Sequence, residues 1–522
     1  MGMTDRGGID LVRTFVWVLS VGCVMLASCF EGRREPAEAD LSAFSVYVDS
    51  LDTLRLQQTI RQLVDNDTSN WTADKNVAKR YTDKNVLRWS SRMGVSADAD
   101  TLLAFLRREL PRNGLDTVAF GIPQIAADLA VVHQLAFDSV GRSINEVLPH
   151  LDYYLSKAYV RYTVGQRYGF TRPEKILNKL DHKAHSEDPN EYARLFDYEI
   201  DAPDYETAVE KLTAADRLDF LRASRPSGQV YAALQACIDT AANKDVRRKL
   251  AVNLERCRWR IKHPAESGRR VVVNLAAQQL WAVCPDSVLS MRICCGAQPT
   301  KTPLLDGELS YMQVNPDWII PHTIVKTEVA HHGGESAYFS RHNYYIVEKA
   351  SGDTLSPDDV TPSELRSGQL RVGQRGGAGN SLGRIVFRFA NNFSVYLHDT
   401  NNRNAFNYQR RTLSHGCVRV QKPFELACFL LPEADDWLKD RLRLSMDISP
   451  ETERGKKYLK EHKEDQRPFR LLTYHPIAPK VPLYIVYFTA YPNPETQEME
   501  LWPDIYGFDR VLSKAMSPLL VP

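Results

Sequence analysis

The chain lacks a surplus of charge of either sign: 66 Lys and Arg stand against 65 Asp and Glu. A nucleic-acid binder needs a basic excess to neutralise phosphates, so that class is set aside, and recognition by a shaped site is expected instead of a long-range field. No repeat of fixed period is found, which removes solenoids and propellers. Metal-ligand spacing is missing too: His331 and His332 are adjacent in "HHGGES", but no third ligand stands at a suggestive distance, and a mobile polar loop is the expectation there. The apolar run from Phe15 to Leu26 has 12 residues, too few to span a bilayer comfortably. What is present, over 522 residues with 43% hydrophobic and 25% charged content, describes an ordinary globular protein of two or three compact units.

The short apolar run fits a secretory h-region, with Arg6 and Arg13 before it. It ends in Leu26-Ala27-Ser28-Cys29, which resembles the lipobox of bacterial lipoproteins. The expectation is a signal peptide over 1–28, acylation of Cys29, a polar tether over 29–43 and attachment to a membrane through the lipid. A plain signal peptide with an incidental cysteine, or a weak membrane anchor, is the alternative. Of nine cysteines, seven lie beyond Cys29, and an odd number outside the cytoplasm leaves at least one thiol unpaired within the chain. Cys294 and Cys295, in the strand-like "SMRICCGAQ", point to opposite faces and read as small buried residues.

From about 44 to 262 the pattern is helical. "DTLLAFLRREL", "IPQIAADLAVVHQLAF" and "LPHLDYYLSKAYVRYTV" place apolar residues three and four apart, and "SRPSG" at 224–228 breaks the series. His133 falls in such a stretch and reads as a satisfied core histidine. Composition then shifts. "RRVVVNLAAQQLWAV" and "SVLSMRICCG" read as two strands about a "CPDS" hairpin, "IVFRFANNFSVYLHD" as a strand after a glycine-rich loop, and "PLYIVYFTAYPN" with "QEMELWPDIYGFD" as a further pair. "ERGKKYLKEHKEDQRPF" reads as a solvated helix. The stretch 320–372 has little periodicity and reads as a lid or binding loop inserted in this second half. The fold class is α+β, with a helical domain over 44–262 and a β-rich domain over 263–522.

Within the β-rich half, Phe393, Val395 and Leu397 alternate with Ser394, Tyr396 and His398, so His398 leaves a strand end on the face away from the apolar row. Nineteen positions later "TLSHGCVRV" carries Cys417 just before a helix opened by Pro423, with Leu426, Phe429 and Leu430 as its buried stripe. An imidazole can take the proton of a thiol and return it to a departing amine. Gly416 leaves an approaching substrate unobstructed, and backbone N–H groups there could face an oxyanion. His398, His415 and Cys417 are also plausible zinc ligands, but H-x-C supplies only two close ones. Residues alone rank a nucleophile first, then a core thiol, then zinc.

The run "YLHDT…SHGCVRV" resembles the signature of the YkuD-type L,D-transpeptidases. "NLERCRWR", "GRIVFRFANNFSVYLHDT", "PDIYGFD" and the helical "PRNGLDTVAFGIPQIAADLAVV" resemble its larger, scaffold-bearing YcbB-like branch, and the likeness extends over about 45–510. The resemblance implies a β-rich catalytic domain, a helical scaffold and a lid. It implies that Cys417 attacks the third residue of a peptidoglycan tetrapeptide stem, releases D-Ala and forms a thioester that a second stem's amine resolves as a 3→3 cross-link. His398 is then general base and acid, Gly416 and the Cys417 amide are oxyanion candidates, and His415 and Ser414 support the loop. Arg419 either anchors a stem carboxylate or holds the loop by a salt bridge, and Asp399 either orients a site group or is an exposed turn acid. No cofactor is implied. The partners are peptide stems, the place is the periplasm-facing envelope, and carbapenems are expected to acylate Cys417. The pattern of a separate peptidoglycan-binding module is not found in 190–250, so the scaffold or lid must help hold the polymer. Hydrolysis by the same pair, attachment of an envelope protein's lysine, and a non-catalytic peptidoglycan-binding lipoprotein are the rival outcomes.

Overall fold

The structure is a computed structural model, and it describes residues 51–83, 87–91, 94–184, 186, 188–261, 268–465 and 469–521. The expected signal peptide, Cys29 and the tether lie outside these residues. Two compact units divide the chain, one formed by residues up to 105 together with 121–158, the other by 106–120 and 159–522.

In the first unit the apolar spacings do become helices: Thr53–Asp65, Thr72–Asp83, Ile122–Gln134, and the leading parts of Ala97–Arg112 and Ile144–Tyr168. A polar knot pins them. Asp152, fully buried, accepts hydrogen bonds from the Tyr81 hydroxyl and from the backbone N–H groups of Arg88 and Trp89. Burial drives both the Asp152 carboxyl and the Tyr81 phenol upward in pKa. His133 corrects an expectation: it is exposed and paired with Asp100 at 2.9 Å, because the apolar face of its helix is carried by Ile125, Leu129 and Val132.

The second unit is built on nine strands: β1 (Arg270–Asn274), β2 (Gln279–Cys284), β3 (Ser287–Gly296), β4 (Leu305–Val314), β5 (Ile385–Arg388), β6 (Leu397–His398), β7 (Thr412–Ser414), β8 (Val418–Val420) and β9 (Tyr474–Val486). Their order is β7-β3-β8-β6-β5-β4-β9-β1-β2, and β2 pairs again with β3, so the ladder closes on itself. The first expected strand is split by a turn at 275–278 into β1 and β2, while "CPDS" makes the β2–β3 hairpin with Cys284 opposite Ser287. "IVFRFANNFSVYLHD" is likewise two short strands, not one, since Asn391 takes up the N–H groups of Phe393 and Val395 and Ser394 has φ +54°.

The segment 159–261 packs on this sheet: Leu177 and Val252 from its helices, with Phe196 and Trp259 from its connections, share one core with Val271, Leu305, Phe387, Leu397 and Val418. The expected division near residue 262 is therefore not where the compact units part. Helical periodicity marks a buried face and says nothing of which partner covers it.

The expected lid is more ordered than a loop. Trp318–Ile319, Tyr344–Glu348, Thr354–Leu355 and Leu370–Gln374 form an antiparallel four-stranded sheet. Ile324, Val325, Val329, Phe339, Ile346 and Val372 make its own core. His332 pairs with Glu335 at 2.8 Å and stacks on Tyr338, which replaces the mobile loop expected around "HHGGES".

Because Asp152 satisfies three buried donors at once, Asp152→Ala is expected to destabilise the protein by about 3 kcal/mol or more, read by urea unfolding. A change within about 0.5 kcal/mol, the range of an ordinary surface site, would contradict the network's role.

Candidate active site

Two short strands assemble the site. β6 and β8 run parallel, with Leu397 opposite Val418 and His398 opposite Arg419, and the Val418 N–H donates to the Tyr396 carbonyl at 3.1 Å. Leu397 and Val418 are fully buried and turn into the core, so their neighbours must turn the other way. Tyr396, His398, Cys417 and Arg419 therefore share one face. His398 and Cys417 are diagonal neighbours there, about 7–8 Å apart in the backbone, a span that an imidazole and a thiol can bridge. This face carries the alternation seen in the sequence.

The loop carrying Cys417 is held from behind. Ser414 Oγ donates to the Cys417 carbonyl at 2.5 Å and accepts from the Gly416 N–H at 3.2 Å. Thr302 Oγ1 donates to the Gly416 carbonyl at 2.8 Å, and Thr300 Oγ1 to the Ser414 carbonyl at 3.1 Å. Tyr506 donates to the Gly296 carbonyl at 2.6 Å, fixing the strand end from which these threonines follow. Gly416 has φ +119°, while an added Cβ would meet only the Thr300 carbonyl at 3.9 Å, so conformation and not crowding requires glycine. Its N–H donates to the Ser414 hydroxyl. Among the described residues no acceptor takes up the Cys417 N–H, so that donor remains.

Electrostatics set both partners neutral at rest. Burial, helped by the Arg419 cation, pulls the His398 pKa down to about 3. Its Nδ1 is buried without a hydrogen-bond partner. Burial pushes the Cys417 thiol above its ordinary value, against the pull of Tyr396 and of the Arg388 and Arg419 cations. The sulfur meets the Ser394 carbonyl at 3.7 Å and is also hydrogen-bonded to Tyr396. Both shifts favour a neutral thiol and a neutral imidazole with an unpartnered Nδ1 over a thiolate–imidazolium ion pair.

The other predicted residues take distinct places. His415 turns outward and pairs with Glu328 of the lid at 3.0 Å, both half exposed. Arg419 has a buried, unpartnered Nε and no carboxylate partner among the described residues, which excludes the loop salt bridge. Asp399 is not an exposed turn acid: it is 6% exposed and accepts from the Arg384 N–H and from Arg403, bracing the turn after β6. His398, His415 and Cys417 do not converge as metal ligands, and no group of three ligating residues exists among the described ones. Cys294 and Cys295 are both fully buried, and all seven cysteines among the described residues are free thiols.

Sequence reasoning passed over Tyr396, although it alternates with His398. Its ring lies 5.7 Å from the His398 ring, and its hydroxyl reaches both Cys417 and Trp318 of the lid. Arg388 was also passed over; it stacks 4.3 Å above the Tyr396 ring. A cavity of about 540 Å³ opens beside the loop, walled by His415, Gly416, Thr300 and Phe393 and by Thr323, Ile324 and Thr327 of the lid. Cys417 stands one residue beyond that wall.

The segment that carries this site matches a known family. Residues 268–436, which hold both Cys417 and His398, match the L,D-transpeptidase catalytic domain named YkuD. This is a YkuD L,D-transpeptidase catalytic domain. Residues 75–237 match the Scaffold domain, so the chain has the YcbB-like architecture, with the scaffold match running across both compact units. A Haemophilus influenzae protein named "Putative L,D-transpeptidase" is 28% identical over 327 residues. That alignment covers 61% of this chain and 61% of the relative, so the chain spans under two thirds of the relative's length.

Two outcomes follow for this L,D-transpeptidase domain. Alkylation of Cys417 by iodoacetamide should climb with pH through 9 and beyond, since the folded thiol ionises above its ordinary range and His398 is already neutral above about 3. A plateau between about pH 5 and 8 would reveal a resting ion pair and contradict this electrostatic account. Gly416→Ala should cost about 1–3 kcal/mol in denaturant unfolding from backbone strain; unchanged stability would show that the loop relaxes freely.

Proposed function

We propose that the protein is a peptidoglycan L,D-transpeptidase that forms 3→3 cross-links through a cysteinyl thioester. The observation that carries this reading is the shared face of β6 and β8, with a thiol diagonal to an imidazole whose Nδ1 is free. His398 Nδ1 takes the proton as Cys417 Sγ attacks the carbonyl carbon of the third stem residue. The oxyanion meets the uncommitted Cys417 N–H. Collapse breaks the C–N bond, His398 returns the proton, and D-Ala departs as the amine. The side-chain amine of a second stem's third residue then attacks the thioester, passing its proton to His398, and a new amide replaces the C–S bond.

The neutral resting pair suits this order of events, because the proton moves only when a carbonyl is in place. The ordered lid supports transfer over hydrolysis, since water must be kept from the thioester while the acceptor amine is admitted. The cavity, walled by residues of 181–195 as well as by lid and loop, gives a stem peptide room next to Gly416. Envelope placement, with Cys29 acylated and the protein held on a membrane, belongs to the same reading and rests on the N-terminal sequence.

Incubation of purified protein with tetrapeptide muropeptides should release D-Ala and yield dimers joined through third residues, read by mass spectrometry. Cys417→Ala should abolish both while leaving the thermal transition nearly unchanged, and a carbapenem should add its mass to the wild type only. Free tripeptides without dimers would assign a carboxypeptidase instead. Activity retained by Cys417→Ala would overturn the nucleophile.

A further inference from the structure

Arg388 occupies a position that the reaction above leaves unused. β5 runs antiparallel to β6 with Val386 opposite His398 and Phe387 opposite Leu397. Continuing that register sets Arg388 beside Tyr396, which in turn lies beside Cys417. Arg388, Tyr396 and Cys417 thus form one row across three strands, with about 10 Å of backbone separating its ends. His398 and Arg419 stand in the next row.

The guanidinium is pre-positioned and uncommitted. It lies 4.3 Å above the Tyr396 ring, and its Nε donates to Gln313 Oε1 at 3.1 Å. Among the described residues no Asp or Glu pairs with it, and no protein acceptor takes its two Nη groups. A cation held by a ring face and a neutral amide keeps its planar fork for a carboxylate. Arg419 does not fit that role equally well, because its Nε is buried and its strand partners are His398 and Cys294.

We propose that Arg388 binds the terminal carboxylate of the amino acid that leaves the donor stem, and so selects donors whose scissile bond is the last in the chain. The identity of the ligand rests on the acyl-transfer reading; the anion site itself does not. A leaving amino acid carries its carboxylate within about 4 Å of the scissile carbonyl carbon, and that carbon must come to about 3–3.5 Å from the sulfur. A carboxylate so placed falls within reach of a guanidinium one ring-width from the thiol. A stem extended by one residue, or ending in a carboxamide, presents no charge there and leaves the cation unpaired.

Two measurements on the full chain test this separately. First, Cys417 is alkylated with iodoacetate and with iodoacetamide at one pH and ionic strength, and the ratio of rates is compared between wild type and Arg388→Gln. The ratio should fall about tenfold in the variant, equivalent to about 1.4 kcal/mol of lost anion binding, with Arg388→Lys intermediate and thermal transitions close to wild type. An unchanged ratio overturns the anion site. Second, tetrapeptide donors ending in carboxylate and in carboxamide are compared. Wild type should favour the carboxylate about tenfold in kcat/KM, mainly through KM, and Arg388→Gln should lose that preference. Equal use of both donors by the wild type overturns the ligand assignment. A responsive alkylation ratio with no turnover of either donor sustains the anion site and sinks the acyl-transfer reading.

Discussion

One backbone pairing underlies the whole site: the parallel contact of Leu397 and His398 with Val418 and Arg419, closed by the Val418 N–H on the Tyr396 carbonyl. It is only two residues wide, so it depends on what lies behind it. Leu397 and Val418 drive it by burying completely against a core that also takes in Phe387, Val395 and Val420. Burial of side chains on one face fixes, through the pleat, which side chains stand on the other. A one-residue slip would send His398 into the core and Leu397 into the site. The chemistry is therefore specified by apolar packing on the far side of the sheet.

The site's electrostatics follow from the same placement. Burial raises the thiol and lowers the imidazole, and both shifts favour the neutral forms. Two guanidiniums, Arg388 and Arg419, stand on the chemical face and offset part of the thiol's penalty. In the loop that presents Cys417, the carbonyls of Ser414, Gly416 and Cys417 accept from the hydroxyls of Thr300, Thr302 and Ser414, while the Cys417 N–H stays uncommitted. The lid touches this arrangement at two points: Trp318 on the Tyr396 hydroxyl and Glu328 on His415. Because the Glu328–His415 pair is half exposed, it is a weak contact that a substrate can displace.

Much of this was legible in the sequence. The helical spacings marked the real helices, "CPDS" marked a real hairpin, and the alternation of Val395 and Leu397 with Tyr396 and His398 marked the face. What escaped is what depends on distant pairing. The lid's strands are two to five residues long, too short for a period to develop, and some pair across long intervening chain, as Trp318 does with Gln374. The helices of 159–261 carried the right periodicity but gave no sign that Leu177 and Val252 pack with the sheet. Arg388 could not be read as a site residue without the β5–β6 register, and Gly416's N–H could not be known to serve Ser414. His133 misled because an exposed histidine and a buried one can share a helical stretch, and only its partner Asp100 tells them apart.

The central claim is that His398 acts as the base for Cys417, and single-turnover acylation tests it most directly. Wild type and His398→Ala are mixed with a carbapenem or tetrapeptide donor, and the adduct on Cys417 is followed by intact mass across pH. The account predicts a rate about 10²–10⁴ lower in the variant near neutral pH, with the gap narrowing in alkali as hydroxide takes over ionisation of the thiol. Equal acylation of the two proteins at neutral pH would mean that the ring and the sulfur, though on one face, do no chemistry together.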